Sequence, residues 1–134
     1  MGPKSALAAC LLVTLALTAC GTKDRDDDAA AVVQRFHTAL ESGDFQAACA
    51  QLSEQTKSRL EQDEGKPCSK AITSLKLPKG GAVKVKRAEI TSAYVRLAEG
   101  TADFLDEGPK GWKISAAGCK PTAPDEPYDC ELEG

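Results

Sequence analysis

The apolar residues in the first half of the chain recur at helical spacing. A first set, at positions i, i+3, i+4 and i+7, predicts one amphipathic helix: Ala29, Val32, Val33, Phe36, Ala39 and Leu40. Asp28 is its expected N-cap, and Ser42-Gly43 its expected end. Asp44 then predicts a second helix with an apolar face of Phe45, Ala48, Cys49 and Leu52. Shorter helices are predicted over residues 53–62 and after Pro67.

Beyond residues 78–81, Pro-Lys-Gly-Gly, the pattern changes to the period of two that is typical of strands. Alternating segments cover residues 83–86, 93–97 and 112–116, and residues 101–106 carry Phe104 between them. Turn residues at 99–100 and 107–111 favour antiparallel hairpins. Helices followed by a four-stranded antiparallel meander predict an α+β fold. The proline-rich tail over 120–134 is expected to be irregular and held back by Cys130.

The N-terminal segment is an apolar, uncharged run from Ala6 to Ala19 after Lys4. It is shorter than the roughly 20 residues of a membrane-spanning helix, so we predict a targeting segment. Its end, Leu-Thr-Ala-Cys at 17–20, resembles the lipobox of bacterial lipoproteins, in which the cysteine receives diacylglycerol and the preceding peptide is removed. The resemblance implies a signal peptide over 1–19, lipidation of Cys20 and a lipid anchor on the extracytoplasmic face of the cell membrane. An ordinary secretory signal followed by a cysteine is the alternative.

Residues 20–28 contain the lipidated cysteine and a polar, acidic stretch. Without apolar side chains, this stretch is expected to be an extended or disordered tether, and residues 29–134 to form a single domain. Calcium binding by Asp24, Asp26, Asp27 and Asp28 is the alternative, but the glycine and glutamate of an EF-hand loop are missing. We therefore expect a solvated acidic segment.

The charge of the chain excludes one large class of partner. The whole sequence has a formal net charge of −3, and loss of residues 1–19, whose one charged residue is Lys4, makes it −4. A nucleic-acid-binding protein would normally carry a basic excess. We expect no nucleic-acid partner.

Four cysteines remain after Cys10 leaves with the signal peptide and Cys20 is lipidated: Cys49, Cys68, Cys119 and Cys130. An even number of thiols in an exported chain predicts two disulfides, and four cysteines allow three pairings. We favour Cys49 with Cys68 and Cys119 with Cys130, because each pair brackets a turn region. A zinc site would need the close C-x-x-C pairs that are missing here. No metal or cofactor is expected.

A fold family is suggested by three features in order: residues 36–45, the Ala-Cys-containing helix after them, and a meander that closes on Gly-Trp-Lys-Ile at 111–114. Together they resemble the nuclear transport factor two-like, or cystatin-like, cone folds. Gly-Cys at 118–119 and Tyr-Asp-Cys at 128–130 resemble motifs that recur in small actinobacterial lipoproteins of unknown function. The resemblance implies a curved sheet around a long helix with a cleft at the open end. Such folds serve enzymes, binding proteins and scaffolds alike, so it implies no activity.

Residues for catalysis in such a cleft would be His37, Tyr94, Asp103 and Asp106. His37 is interpreted as structural or exposed, and Asp103 as facing solvent if Phe104 points into the core. Because the chain has no nucleophile elbow, phosphate loop or zinc-protease helix, we predict that it is not an enzyme.

Two further sets of residues have a binding and a structural interpretation. Strand alternation assigns four basic residues to one outer face, where they form an anionic-ligand site or, as we favour, a solvated surface: Lys84, Lys86, Arg96 and Lys113. Trp112 is predicted to be a core residue rather than a stacking platform.

Three functions therefore compete. The first is a non-catalytic domain that binds an envelope protein, the second a carrier of a small apolar ligand in the cone cleft, and the third an isomerase-like or cyclase-like enzyme.

Overall fold

The computed structural model describes residues 20–134, with side chains from Gly21 onward. Helices come first: α1 (Cys20–Ser42), α2 (Phe45–Cys49), α3 (Glu54–Glu64) and α4 (Cys68–Ala71), the last continued by a 3-10 turn over Ile72–Ser74. Asp44 caps α2 by accepting a hydrogen bond from the Ala47 amide, and Ser53 caps α3 in the same way through Thr56. No helix in this part of the chain is long and apolar enough to cross a membrane.

The second half is a five-stranded antiparallel sheet in the order β1-β2-β3-β4-β5. Its strands are β1 (Val83–Ala88), β2 (Ser92–Leu97), β3 (Ala102–Gly108), β4 (Gly111–Cys119) and β5 (Leu132–Glu133). The α+β class is thus confirmed, but four strands was one too few. Two residues cannot display an alternation, so β5 gave no signal within the tail.

The core lies between α1 and one face of the sheet, here called the inner face. Phe36 and Val33 of α1 are fully buried, as are Val95, Leu105 and Ile114 of the sheet. The opposite, outer face carries Tyr94 and Phe104, and the C-terminal tail crosses it. Trp112 is buried in the core, as predicted.

The two disulfides join Cys49 to Cys68 and Cys119 to Cys130, which confirms the favoured pairing. The first links α2 to α4. The second closes the tail onto the end of β4, next to mutual backbone hydrogen bonds between Lys120 and Asp129. The tail is therefore fixed to the sheet covalently and by its backbone.

The N-terminal part of α1 differs from the sequence prediction, because Gly21–Asp28 is helical rather than extended. Asp28 consequently lies inside the helix and is not its N-cap. Contacts with the sheet stabilise these polar turns: the Asp26 carboxylate accepts a hydrogen bond from the Ala88 amide, and Asp27 pairs with Lys86. Such tertiary contacts hold a helix that local sequence alone does not favour.

Candidate functional site

A buried histidine–aspartate pair lies between α1 and the sheet. His37 is 1 % exposed and Asp103 is fully buried. The His37 Nε2 atom lies 2.6 Å from Asp103 Oδ2, and its Nδ1 atom lies 2.7 Å from the carbonyl oxygen of Pro78. The other oxygen of Asp103 accepts a hydrogen bond from the Gly118 amide at 3.0 Å. Four segments of the chain therefore meet at this pair.

The partners of His37 fix where its protons lie. The Pro78 carbonyl only accepts, so Nδ1 must carry a hydrogen. A carboxylate at Asp103 then requires a second hydrogen on Nε2, which makes the ring an imidazolium. Burial by itself lowers the pKa of His37, but the hydrogen bond and negative charge of Asp103, with the Pro78 carbonyl and Glu99, outweigh it and raise that pKa above the ordinary value. The geometry and the raised pKa of His37 therefore both favour a buried ion pair.

Asp103 does not face solvent, because the condition for that expectation, an inward Phe104, is not met. It lies opposite Val95 in the β2–β3 register, on the inner face, while Phe104 points outward. The alternation of β3 is as expected but its phase is reversed. Gly118 has a positive φ of 66°, at an irregularity of the β3–β4 ladder, and this turns its amide toward Asp103.

The sequence also understated the burial of His37, although one signal was present. His37 follows Val33 by four residues, so it lies on the apolar face of α1 rather than on its rim. All the polar atoms of the pair are occupied by protein groups, and neither residue is open to solvent. A substrate would have to break this network to reach them.

The outer face carries an aromatic cluster, which we define as Tyr94, Phe104 and Tyr128. The ring centroids of Phe104 and Tyr128 are 5.2 Å apart, and those of Tyr94 and Phe104 are 5.4 Å apart. Such edge-on and tilted pairs are favourable ring geometries. Burial and the Tyr128 hydroxyl raise the pKa of Tyr94 above its ordinary value, although Arg96 opposes the shift. Tyr128 itself is 38 % exposed.

Two grooves flank the aromatic cluster. One, of about 260 Å³, runs along β1 to β3 and is lined by Arg87, Tyr94 and Phe104 among others. The second, of about 380 Å³, lies between Phe104 and the C-terminal tail and includes Tyr128. The aromatic cluster therefore contributes side chains to both grooves.

The basic residues predicted to share one outer face do so only in part: Lys113, opposite Asp106, lies on that face with Arg96, whereas Lys86 does not. Lys86 lies opposite Val95, on the inner side, where it pairs with Asp27. Lys113 donates a hydrogen bond to the Ala50 carbonyl at 2.7 Å, and Lys84 lies at an irregularity of β1. A one-residue shift in β1 moves its later side chains to the opposite faces, so strict alternation failed there. Arg96 remains on the outer face, beside Tyr94.

A second polar contact set joins α1 to the β1–β2 turn and to the end of β3. Arg25 forms an ion pair with Glu107 at 2.7 Å and donates to the carbonyl oxygens of Glu89 and Ile90 at 2.9 and 2.8 Å. Its guanidinium also lies 5.1 Å from the centre of the Trp112 ring. Arg25 thus holds the start of α1 against the β1–β2 turn and the end of β3.

The predictions for the N-terminus concern residues that the structure does not describe. The signal peptide over 1–19 lies outside the described residues, and so does the side chain of Cys20. Within the described range, no group of three or more histidine, cysteine or acidic side chains is arranged to hold a metal ion. No known protein family, no curated protein and no solved structure matches this chain.

Proposed function

We propose that this protein is a membrane-anchored extracytoplasmic lipoprotein, attached through Cys20, whose domain is a non-catalytic binding module for an envelope protein. The observation that carries the binding role is the aromatic cluster. Three aromatic rings lie on the sheet face opposite α1, with Tyr128 partly exposed. Aromatic side chains are enriched at protein interfaces. The tyrosine side chain suits such a place because it joins a large apolar ring to a polar hydroxyl group.

The buried pair supports binding rather than catalysis. An enzyme of the isomerase or cyclase type needs an acid or histidine that faces an open pocket. His37 and Asp103 contact Pro78 and Gly118 instead and have no exposed surface to offer a substrate. The polar side-chain atoms of both residues are engaged in hydrogen bonds that hold α1 against the sheet.

The packing of the inner face favours surface binding over carriage of a small ligand. We propose that α1 and the sheet form a shallow version of the cone, filled by side chains. Phe36, Leu105 and Ile114, which would line a cleft, belong to one continuous buried cluster. A carrier would instead need an apolar cavity of about 300 Å³ or more that encloses most of the ligand, whereas the pocket of about 310 Å³ beside Leu52 and Pro109 is open to solvent.

The groups around the aromatic cluster suggest the chemistry of the partner. Arg87 is exposed on the same face, opposite Tyr94, and Arg96 lies at the next outward position of β2. Asp106 and Glu89 line the groove beside them. A partner protein that offers apolar side chains with a few carboxylates to the arginines fits this surface.

Site-specific photo-crosslinking in bacterial cells tests this proposal. A photoreactive phenylalanine analogue replaces Tyr128 in one variant, and the exposed Gln55 of α3 in a matched control. We expect one discrete protein adduct at position 128 and none at position 55. Equal labelling at both positions, or none at position 128, would contradict the proposed surface. A small molecule recovered with the intact protein by native mass spectrometry would instead favour the carrier.

A further inference from the structure

We propose that the domain rests on the membrane by one particular end, with Ile90 inserted into the lipid interface. This end, called the tip end, consists of the β1–β2 turn (residues 89–91) and the β3–β4 turn (residues 108–111). The proposal rests on lipidation of Cys20 in the proposed function. It adds a second membrane contact and a fixed orientation of the domain.

Cys20, the proposed anchor, lies close to the tip end. Cys20 precedes Arg25 by five residues in one continuous helix. At a rise of about 1.5 Å per residue, this separation is about 7.5 Å along the helix axis. Arg25 donates directly to the carbonyl oxygen of Ile90. The anchored residue therefore lies within about two helical turns of the tip end.

The first turns of α1 are docked on the sheet and are not a free tether. Arg25 contacts the β1–β2 turn through the carbonyl oxygens of Glu89 and Ile90, and the end of β3 through Glu107. Asp26 is bound to the backbone of Ala88 at 2.6 Å. An extended tether of eight residues would let the domain move about 26 Å from the membrane in any orientation. A docked helix removes most of that reach.

An anchor at this place turns the surface around Ile90 toward the lipid. Ile90 is 88 % exposed, the most exposed large apolar side chain among the residues described. Lys23 and Lys110 are exposed near it, but so are Asp24 and Glu89. With the neighbouring Asp26, Asp27, Asp28 and Glu107, acidic side chains at this end outnumber the basic ones, so attraction to anionic lipids does not drive the contact and apolar insertion is the contact that remains.

The test attaches the lipid chemically, so that it does not depend on lipidation in cells. The other four cysteines of residues 20–134 are held in disulfides, so a maleimide with a single acyl chain reacts at Cys20. One chain alone gives marginal, reversible binding, which makes a second contact measurable. The partition of this conjugate into phosphatidylcholine vesicles is compared for wild type, Ile90→Ser and the control Ala98→Ser. Ala98 is exposed at the β2–β3 turn, at the far end of β2.

We expect Ile90→Ser to weaken partition about three- to tenfold, as loss of a partly buried isoleucine would, and Ala98→Ser to leave it unchanged. Replacement of the same positions by tryptophan, in proteins whose own tryptophan is removed by Trp112→Phe, gives a second readout, quenching by brominated lipids. We expect strong quenching at position 90 and none at position 98. Equal partition of the three proteins, or equal quenching at both positions, would overturn the tip-end contact. Neither result bears on whether cells lipidate Cys20, which a separate labelling experiment decides.

Discussion

Replacement of Asp103 tests the buried ion pair, because two substitutions at this position have different expected costs. Asp103→Ala leaves Nε2 of His37 and the amide of Gly118 without a partner inside the protein. Asp103→Asn can keep every hydrogen bond if His37 becomes neutral: the new amide nitrogen donates to Nε2, its oxygen accepts from Gly118, and Nδ1 still donates to Pro78. The pair of variants therefore separates lost contacts from lost charge.

The magnitudes follow from the full burial of both side chains. Removal of one member of a buried ion pair costs about 3–5 kcal/mol, which we expect for Asp103→Ala. Loss of charge assistance alone costs about 1 kcal/mol, which we expect for Asp103→Asn. Since a domain is commonly stable by only 5–15 kcal/mol, Asp103→Ala can fail to fold. The asparagine variant keeps the test informative in that case.

The pH dependence has a definite sign. The pKa of His37 in the folded protein lies above the ordinary value of 6.5. The pair therefore stabilises fully below about pH 6.5, and this stabilisation is lost as pH rises through the folded pKa. In Asp103→Asn, burial is no longer opposed by a carboxylate, so we expect the pKa of His37 to fall below 6.5. Stability of that variant should then fall on acidification instead.

Urea unfolding at several pH values between 5.5 and 8.5, with the disulfides intact, measures both effects. His37 is the only histidine in the sequence, so its imidazole signals in NMR report its titration without ambiguity. The difference between wild type and Asp103→Asn removes the contribution of all other groups. If the two proteins change in stability with pH in parallel, or if His37 titrates below 6.5 in the wild type, the ion-pair assignment is wrong.

Three further predictions concern other parts of the fold. Removal of the disulfide by Cys49→Ser with Cys68→Ser should lower the free energy of unfolding, measured in urea, by about 3 kcal/mol. An unchanged value would show that the disulfide does not stabilise the fold by restricting the unfolded chain. Arg25→Gln should raise amide exchange in the helical turns before Ala29 by tenfold or more, with no change in the rest of α1. Gly118→Ala should destabilise by about 1–3 kcal/mol in thermal unfolding, because its φ is positive and Leu77 is 3.0 Å from the added carbon, whereas a neutral effect would contradict that geometry.

The parts of the fold that the sequence could predict are those governed by local pattern. The apolar face of α1 after Ala29 and the inward alternation of β2 at Ala93, Val95 and Leu97 are both observed as expected. Each depends on neighbours a few residues away. The cap at Asp44 is local in the same sense.

The features that escaped prediction depend on contacts between distant residues. Arg25 and Glu107 are 82 residues apart, and nothing local in the first turns of α1 signals their helix. Asp103 and His37 are 66 residues apart. The phase of β3 is set by its register with β2, so the pattern of β3 alone could not show which of Asp103 and Phe104 points inward.

The aromatic cluster of the proposed binding surface was missed for a related reason. Tyr94 and Phe104 are directly opposed in the β2–β3 register, but Tyr128 reaches them only because the disulfide at Cys130 folds the tail across the sheet. The favoured pairing of the cysteines, one of three that the sequence allows, is observed, whereas no sequence signal indicated the path of the chain between Cys119 and Cys130.

Attachment to the membrane through Cys20 is tested most directly by metabolic labelling with an alkyne fatty acid in bacterial cells. Wild type and Cys20→Ala are compared after membrane fractionation, and the mass of the N-terminal peptide is determined. We predict label and membrane location for the wild type, an N-terminus at Cys20, and loss of both label and membrane location in Cys20→Ala. Incorporation and fractionation that are unchanged in Cys20→Ala would contradict the assignment.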